Sequence, residues 1–240
     1  FTSGRICQSR MIKRGEYYRI YSAVVTNEGS LVVYSDDFGD TWTPLGGADA
    51  RPAPEGDEAK LEELPDGRVL LSCRRSGKDG RWFNVFSYGD NSYGQGSWAQ
   101  PVASENPDGG TATINNNCNG EILLVPAKAK DGSRVYVALQ SVPRGTPGNH
   151  PSNLERRSHV SVYWKAFRSA ADWASPENWK DGWKRYEITD GYSAYSSMAI
   201  GDKGNICFIY EDDGVRFRLG SQSTAMYSIF YRNLTLKEIT

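Results

Sequence analysis

Histidine is nearly missing from this 240-residue sequence: His150 and His159 are the only two, and neither is grouped with Cys, Asp or Glu at ligand spacing. That argues against a histidine-based metal site and against a Ser-His triad, and no metal or other cofactor is expected. Cysteine is sparse as well. Cys7, Cys73, Cys118 and Cys207 lie far apart, and Cys73 and Cys207 sit inside apolar runs, which reads as buried free thiols rather than bridges. Neither sign of charge is in excess, with 28 Lys and Arg against 29 Asp and Glu and a formal net charge of -1. No electrostatic footprint for nucleic acid or an anionic membrane follows, and the basic pairs Arg74-Arg75 and Arg156-Arg157 are too isolated to make a patch. The longest apolar runs, Val69 to Leu71 and Ile122 to Val125, are far too short to span a bilayer. No charged start followed by an apolar core opens the sequence, so no signal peptide is visible.

Glycine, proline and aromatics are abundant: 25 Gly, 11 Pro, 7 Trp and 14 Tyr. No segment carries a long helical period. Short strand-like runs recur instead, at Tyr17 to Val25, Leu31 to Ser35, Arg68 to Cys73, Glu121 to Val125, Arg134 to Leu139, Val160 to Phe167, Ile206 to Tyr210 and Met226 to Leu236. Asn27-Glu28-Gly29, Asp66-Gly67, Asn119-Gly120, Asp131-Gly132 and Lys203-Gly204 read as turns, because such pairs supply the positive φ that tight hairpins need. The fold class is all-β. Units of turn, strand and turn that end in tryptophan, at Trp42 and Trp98, suit propeller blades, although their irregular period alone leaves a sandwich equally open. Pro143 to Pro151 reads as a long exposed loop.

One local motif is specific: Ser35-Asp36-Asp37-Phe38-Gly39-Asp40-Thr41-Trp42 fits Ser-x-Asp-x-Gly-x-Thr-Trp. In a compact turn, Asp37 can accept hydrogen bonds from turn amides and Gly39 can take φ values other residues resist. Ser35 and Thr41 can satisfy further backbone groups, and Trp42 can pack beneath the turn. The motif resembles the Asp-box of sialidases and related propellers, where it marks fold rather than chemistry. A degenerate echo follows at Ser92 to Trp98, and the Trp-rich stretch from Trp164 to Trp183 can hold a third with an insertion.

Two further segments carry the resemblance toward chemistry. Glu58 leads into Glu62-Glu63-Leu64-Pro65-Asp66-Gly67 and a second apolar run ending in Arg74; Ser193-Ala194-Tyr195-Ser196 is followed by a run closing in Tyr210-Glu211. Both are similar to segments of the sialidase (neuraminidase) family, and the chain resembles the C-terminal part of a bacterial-type exo-α-sialidase. The resemblance implies a Tyr195 nucleophile, Glu58 as its base, and Arg74 and Arg157 (Arg156 being the near alternative) as members of an arginine triad for the substrate carboxylate. Glu211 matches the acid that holds the first arginine of that triad. A tyrosine suits a substrate whose anomeric carbon bears a carboxylate, since a carboxylate nucleophile would approach against like charge. It also needs an adjacent base, because its reference pKa is about 10. Arginine suits the triad because its planar fork binds carboxylates bidentately.

Sialidases are six-bladed, and at roughly 40–50 residues per blade residues 1–240 are expected to supply about four blades, the C-terminal part of one propeller domain. The first triad arginine, the acid/base aspartate and the N-terminal blades are absent from this reading. No Arg-Ile-Pro occurs, Arg5 and Arg19 are poor substitutes, and Asp36 and Asp37 belong to the turn. The expected partners are sialylated glycans or glycoconjugates and an N-terminal portion, upstream or on a separate chain. The implied location is secreted, periplasmic or cell-surface. A sialidase-like propeller that binds glycans without hydrolysis is the alternative.

Overall fold

Side chains alternate between the two faces of a strand, so a strand covered on both sides must be apolar almost throughout. The apolar runs of this chain have that function. The computed structural model describes residues 5–113, 118–146, 157–213, 218–219, 222–223 and 227–240. Arg156, Met226 and most of the Pro143 to Pro151 stretch lie outside the described residues.

The first sheet holds β1 (Cys7–Arg14), β2 (Tyr17–Thr26), β3 (Gly29–Ser35) and β4 (Thr43–Pro44) in that order, with β5 (Ala53–Pro54) also on β3. The second runs β6 (Gly56–Glu63), β7 (Val69–Arg75), β8 (Arg81–Tyr88), with β9 (Gly96–Trp98) and β10 (Val102–Ser104) both on β8. The third is β11 (Ile122–Lys128), β12 (Arg134–Pro143), β13 (Val160–Phe167) and β14 (Lys184–Glu187). The fourth has β15 (Ser196–Ile200), β16 (Ile206–Asp212) and β19 (Ser228–Leu234); β17 (Arg218–Leu219) and β18 (Gln222–Ser223) pair beside it in sequence. The pairings between these strands are antiparallel and stay within one stretch of chain for each sheet, which gives a four-blade propeller arrangement.

The cores lie between blades. Tyr21, Val32, Leu61, Leu71 and Phe86 fill the first seam, Leu70, Phe83, Ile122, Leu124 and Trp179 the second, and Leu123, Val125, Leu139, Val162 and Phe208 the third. Leu70 and Leu71 therefore point into different seams, as do Leu123 and Leu124. This is why those runs do not alternate with polar residues. Among the described residues the fourth blade is covered on one face only: Ile209, Ile229 and Tyr231 share its other face and are exposed.

Four of the expected turns join consecutive strands, at Asn27-Glu28, Asp66-Gly67, Asp131-Gly132 and Lys203-Gly204. Asn119-Gly120 does not. It lies on the crossing from β10 to β11, and a Cβ on Gly120 would stand 1.6 Å from the Ser141 carbonyl oxygen. Its glycine answers a close approach of two backbones. Among the strands of five residues or more, β1, β6, β8 and β15 are not among the expected runs: each carries charged or polar side chains, several of them buried, such as Ser9, Glu62, Arg81, Asn84 and Ser196.

The Asp-box turn joins β3 to β4. Ser35 Oγ donates to Asp37 Oδ1 at 2.6 Å, the Gly39 N–H donates to Ser35 Oγ at 2.8 Å, and the Thr41 N–H donates to Asp37 Oδ1 at 2.9 Å. Gly39 has φ +103°. Trp42 differs from expectation: it stays exposed, against Gly39, instead of packing beneath the turn. The echo at Ser92 to Trp98 joins β8 to β9, and the Trp164 to Trp183 stretch spans the β13 to β14 connection, where two short helical turns form the insertion.

Candidate active site

Glu58 and Arg74 face each other across the β6–β7 pair. Gly56 pairs with Arg75 and Ala59 with Cys73, so three steps on β6 match two on β7 and one extra residue bulges out beside Glu58. Such bulges re-aim side chains. Arg74 Nη1 donates to Glu58 Oε2 at 2.7 Å, and its Nε lies 3.3 Å from Asp57 Oδ2. Both Glu58 and Arg74 are largely buried.

Tyr195 immediately precedes β15. Its N–H donates to Glu211 Oε2 at 3.0 Å and its carbonyl accepts the Glu211 N–H at 2.9 Å, so the last residues of β16 fix its backbone. The phenol stands beside Glu58. Burial, then the influence of Glu58, raise its pKa above the ordinary tyrosine value, against the pull of Arg74. At neutral pH the phenol is therefore neutral and its proton lies beside a carboxylate able to take it.

Arg157 brings the third blade into the cluster. Its carbonyl accepts the Ser193 N–H at 2.8 Å, and its guanidinium carbon stands 5.8 Å from the Tyr195 ring centroid. Among the described residues no carboxylate forms an ion pair with it, in contrast to Arg74. Arg5 and Arg19 lie elsewhere: Arg5 pairs with Glu62 and Glu121, and Arg19 with Asp36 while stacking on Tyr34. The structure thus brings Glu58, Arg74, Arg157, Tyr195 and Glu211 together from three blades.

Three neighbours were not legible beforehand. Tyr227 packs on the same core cluster as Tyr195, and its pKa is raised by burial against the pull of Arg157. Cys118 donates to the Ala194 carbonyl at 3.3 Å, just under the tyrosine, and burial pushes its thiol up to about 11. Arg81 is fully buried below the cluster and donates to Ser72 Oγ at 2.8 Å and to the Cys118 carbonyl at 2.9 Å. The only sequence signal for Arg81 is a charge heading an apolar run; for Tyr227 there is none. Among the described residues no group of three His, Cys, Asp or Glu side chains could hold a metal ion.

Sheets stacked as blades, with an Asp-box turn in the first and an arginine-flanked tyrosine beside a glutamate where three blades meet, define a propeller of the Asp-box class. No family model matches the chain. A curated sialidase of Paraclostridium sordellii is 29% identical over 195 residues, which is 78% of this chain and 41% of that protein. The intramolecular trans-sialidase of Ruminococcus gnavus, solved with oseltamivir carboxylate, superposes with a TM-score of 0.62 at 18% identity, covering 96% of this chain and 43% of that one. The leech intramolecular trans-sialidase gives 0.64 at 17% identity, over 97% and 31%. The chain resembles sialidases in sequence and has their propeller arrangement, and it spans 41% of the length of the curated relative.

Proposed function

We propose that this chain supplies the nucleophile half of an exo-α-sialidase active site, acting on sialylated glycans or glycoconjugates with retention. The placement of the Tyr195 phenol beside Glu58, with Arg74 and Arg157 flanking it, carries this reading. Arg157, with no described carboxylate partner, is the cation most available to the substrate carboxylate, whereas Arg74 has its fork engaged by Glu58 and Asp57 and flanks the site. With the carboxylate held, Tyr195 Oη attacks the anomeric carbon as Glu58 takes its proton. The bond to the aglycone breaks, and the aglycone oxygen is protonated by an acid that these residues do not provide. The resulting sialyl-tyrosine is cleaved by water, which gives its proton to the conjugate base of that acid and its oxygen to the anomeric carbon, while Glu58 returns the proton to the departing phenolate.

The first triad arginine and the acid/base aspartate belong, in this proposal, to further blades, upstream or on a separate chain. The uncovered face of the fourth blade, with Ile209, Ile229 and Tyr231, suits one of them. Glycoconjugate substrates place the enzyme outside the cytoplasm: secreted, periplasmic or at the cell surface.

Tyr195→Phe in the full-length protein is expected to abolish release of a fluorophore from an α-sialoside, with the circular dichroism spectrum unchanged. Glu58→Gln is expected to lower kcat/KM by about 10²–10⁴, and the double variant to be no worse than the worse single one, because the two groups act as a unit. Near-normal turnover by Tyr195→Phe would overturn the assignment.

A further inference from the structure

A cavity of about 140 Å³ lies beside the third blade and shares no residue with the Tyr195 cluster. Its walls are apolar or already satisfied. Tyr163 Oη donates to the Ala112 carbonyl at 3.1 Å, Trp183 Nε1 donates to the Trp179 carbonyl at 2.7 Å, and Gly109 and Gly110 complete one side. The donors left over are two guanidiniums, Arg144 and Arg185. Arg185 Nη1 is held by Ser161 Oγ at 3.1 Å and Glu187 Oε2 at 2.6 Å, and Glu187 is shared with His159 Nδ1 at 3.2 Å. Arg144 forms no ion pair with a described carboxylate, so among the described residues two guanidiniums face one carboxylate here. Both arginines act on the same buried group: burial pushes the Tyr163 phenol up to about 12 against the pull of Arg185 and Arg144.

We propose that this cavity is a second anion site, which takes the carboxylate or sulfate group of an acidic glycan. Size decides how much of the ligand enters. Pockets that enclose whole organic ligands run about 300–1,000 Å³, so 140 Å³ admits a charged group and leaves its sugar outside. Arginine forks match the planar or tetrahedral oxygens of such groups, and the low-dielectric aromatic floor strengthens the contact. Place supports the carrier. Arg144 follows the last residue of β12, and its N–H donates to the His159 carbonyl at 3.1 Å, two residues from Arg157. A glycan presented to the Tyr195 cluster therefore passes the same end of the third blade. The oxyanion chemistry stands on the cavity alone, whereas the glycan carrier rests on the sialidase reading.

Calorimetric titration with N-acetylglucosamine 6-sulfate, glucuronic acid, neutral N-acetylglucosamine and inorganic sulfate tests it. At least one acidic sugar is expected to bind in the millimolar range and the neutral sugar not at all. Arg144→Ala is expected to weaken that binding by about tenfold or more, whereas Tyr195→Phe and Arg157→Ala leave it unchanged. Arg144→Gln, which keeps the aliphatic stem, repeats the loss if Arg144→Ala folds poorly. Binding insensitive to Arg144, no acidic-sugar binding into the tens of millimolar, or loss in Arg157→Ala would overturn the site. Inorganic sulfate binding as tightly as the sulfated sugar would overturn the glycan carrier. The Tyr195→Phe arm keeps these failures separate from failure of the sialidase reading.

Discussion

Gly120→Ala is a one-carbon change whose cost follows directly from the backbone. The added Cβ would sit 1.6 Å from the Ser141 carbonyl oxygen, 2.8 Å from its carbon and 3.2 Å from Gln140 Nε2. Ordinary contacts begin near 3.4 Å, so β12 must retreat or the crossing segment must lift. Two hydrogen bonds hold the pair at that spacing: the Ser141 N–H donates to the Glu121 carbonyl at 2.9 Å, and the Glu121 N–H donates to Ser141 Oγ at 3.0 Å. Losing both costs about 1 kcal/mol each, and overpacking of a rigid site adds about 1–3 kcal/mol. The expected destabilisation is therefore about 3–5 kcal/mol, a large part of a typical domain's stability of about 5–15 kcal/mol. Gly132→Ala is the matched control. Nothing lies within 4 Å of its Cβ position, but its φ of +82° strains any other residue, so its cost is conformational and near 1 kcal/mol. Urea unfolding of the two variants against the parent measures both. A loss below about 1 kcal/mol at position 120, or equal losses at both positions, would refute the close-approach reading.

Two further outcomes follow from the same coordinates. The bonds from Ser35 and Thr41 hold the exposed Asp37 carboxylate down at about 2. Its contribution is therefore present above the unfolded value of about 3.9 and is lost as pH falls through about 2. Asp37→Asn should remove that acid-side step from the pH dependence of the urea midpoint; an unchanged acid limb would show that the turn adds nothing. Cys7, Cys73 and Cys118 are buried and pushed up to about 12, 11 and 11, whereas Cys207 is half-buried on the uncovered face of blade four. A disulfide reagent near pH 8 should modify Cys207 first and the other three only on unfolding, as peptide mass mapping would show; early labelling of Cys73 would contradict the packing.

Much of the fold could be read because the second and third blades bury both faces. The Leu70-Leu71 and Leu123-Leu124 pairs are strands that serve two seams at once, and unbroken apolar runs between Gly-containing turns announce such strands. Where a strand carries polar residues at seam positions the pattern fails. β8 places Arg81 and Asn84 wholly inside, Asn84 donating to the Pro52 and Ala99 carbonyls, and composition alone would put both in solvent. The Asp-box is legible because its bonds are local, within one turn. The Asn119-Gly120 misreading has the opposite cause, since what demands glycine there is a carbonyl from another hairpin. The candidate site was named from motif resemblance, and its geometry rests on two things no local pattern carries: the bulge beside Glu58 and the pairing of Arg157 with Ser193.

Glu58 and Tyr195 belong to different blades, so the separation of their side chains is set by how the blades sit against each other. Apolar seams are poor at fixing such a distance, because hydrophobic contact is non-directional and tolerates small sliding. A buried polar relay beneath the cluster supplies the missing direction. Arg81 Nε donates to Ser72 Oγ at 2.8 Å in the second blade, and Ser72 Oγ donates to Gln140 Oε1 at 2.5 Å in the third. Gln140 Nε2 donates to the Ser141 carbonyl at 3.0 Å, and Ser196 Oγ in the fourth blade donates to Ser141 Oγ at 2.8 Å. Ser72 is two residues from Arg74, and Ser196 is next to Tyr195. In a low-dielectric interior each of these bonds is costly to leave unmade, so the relay admits one alignment of the three blades and holds the acidic partner of the tyrosine within reach. Arg81 brings a charge into that interior without a described carboxylate partner, and burial pulls its pKa down. An apolar residue there would relieve that cost and also free the blades to shift, so a costly buried charge beneath Glu58 and Tyr195 serves their alignment.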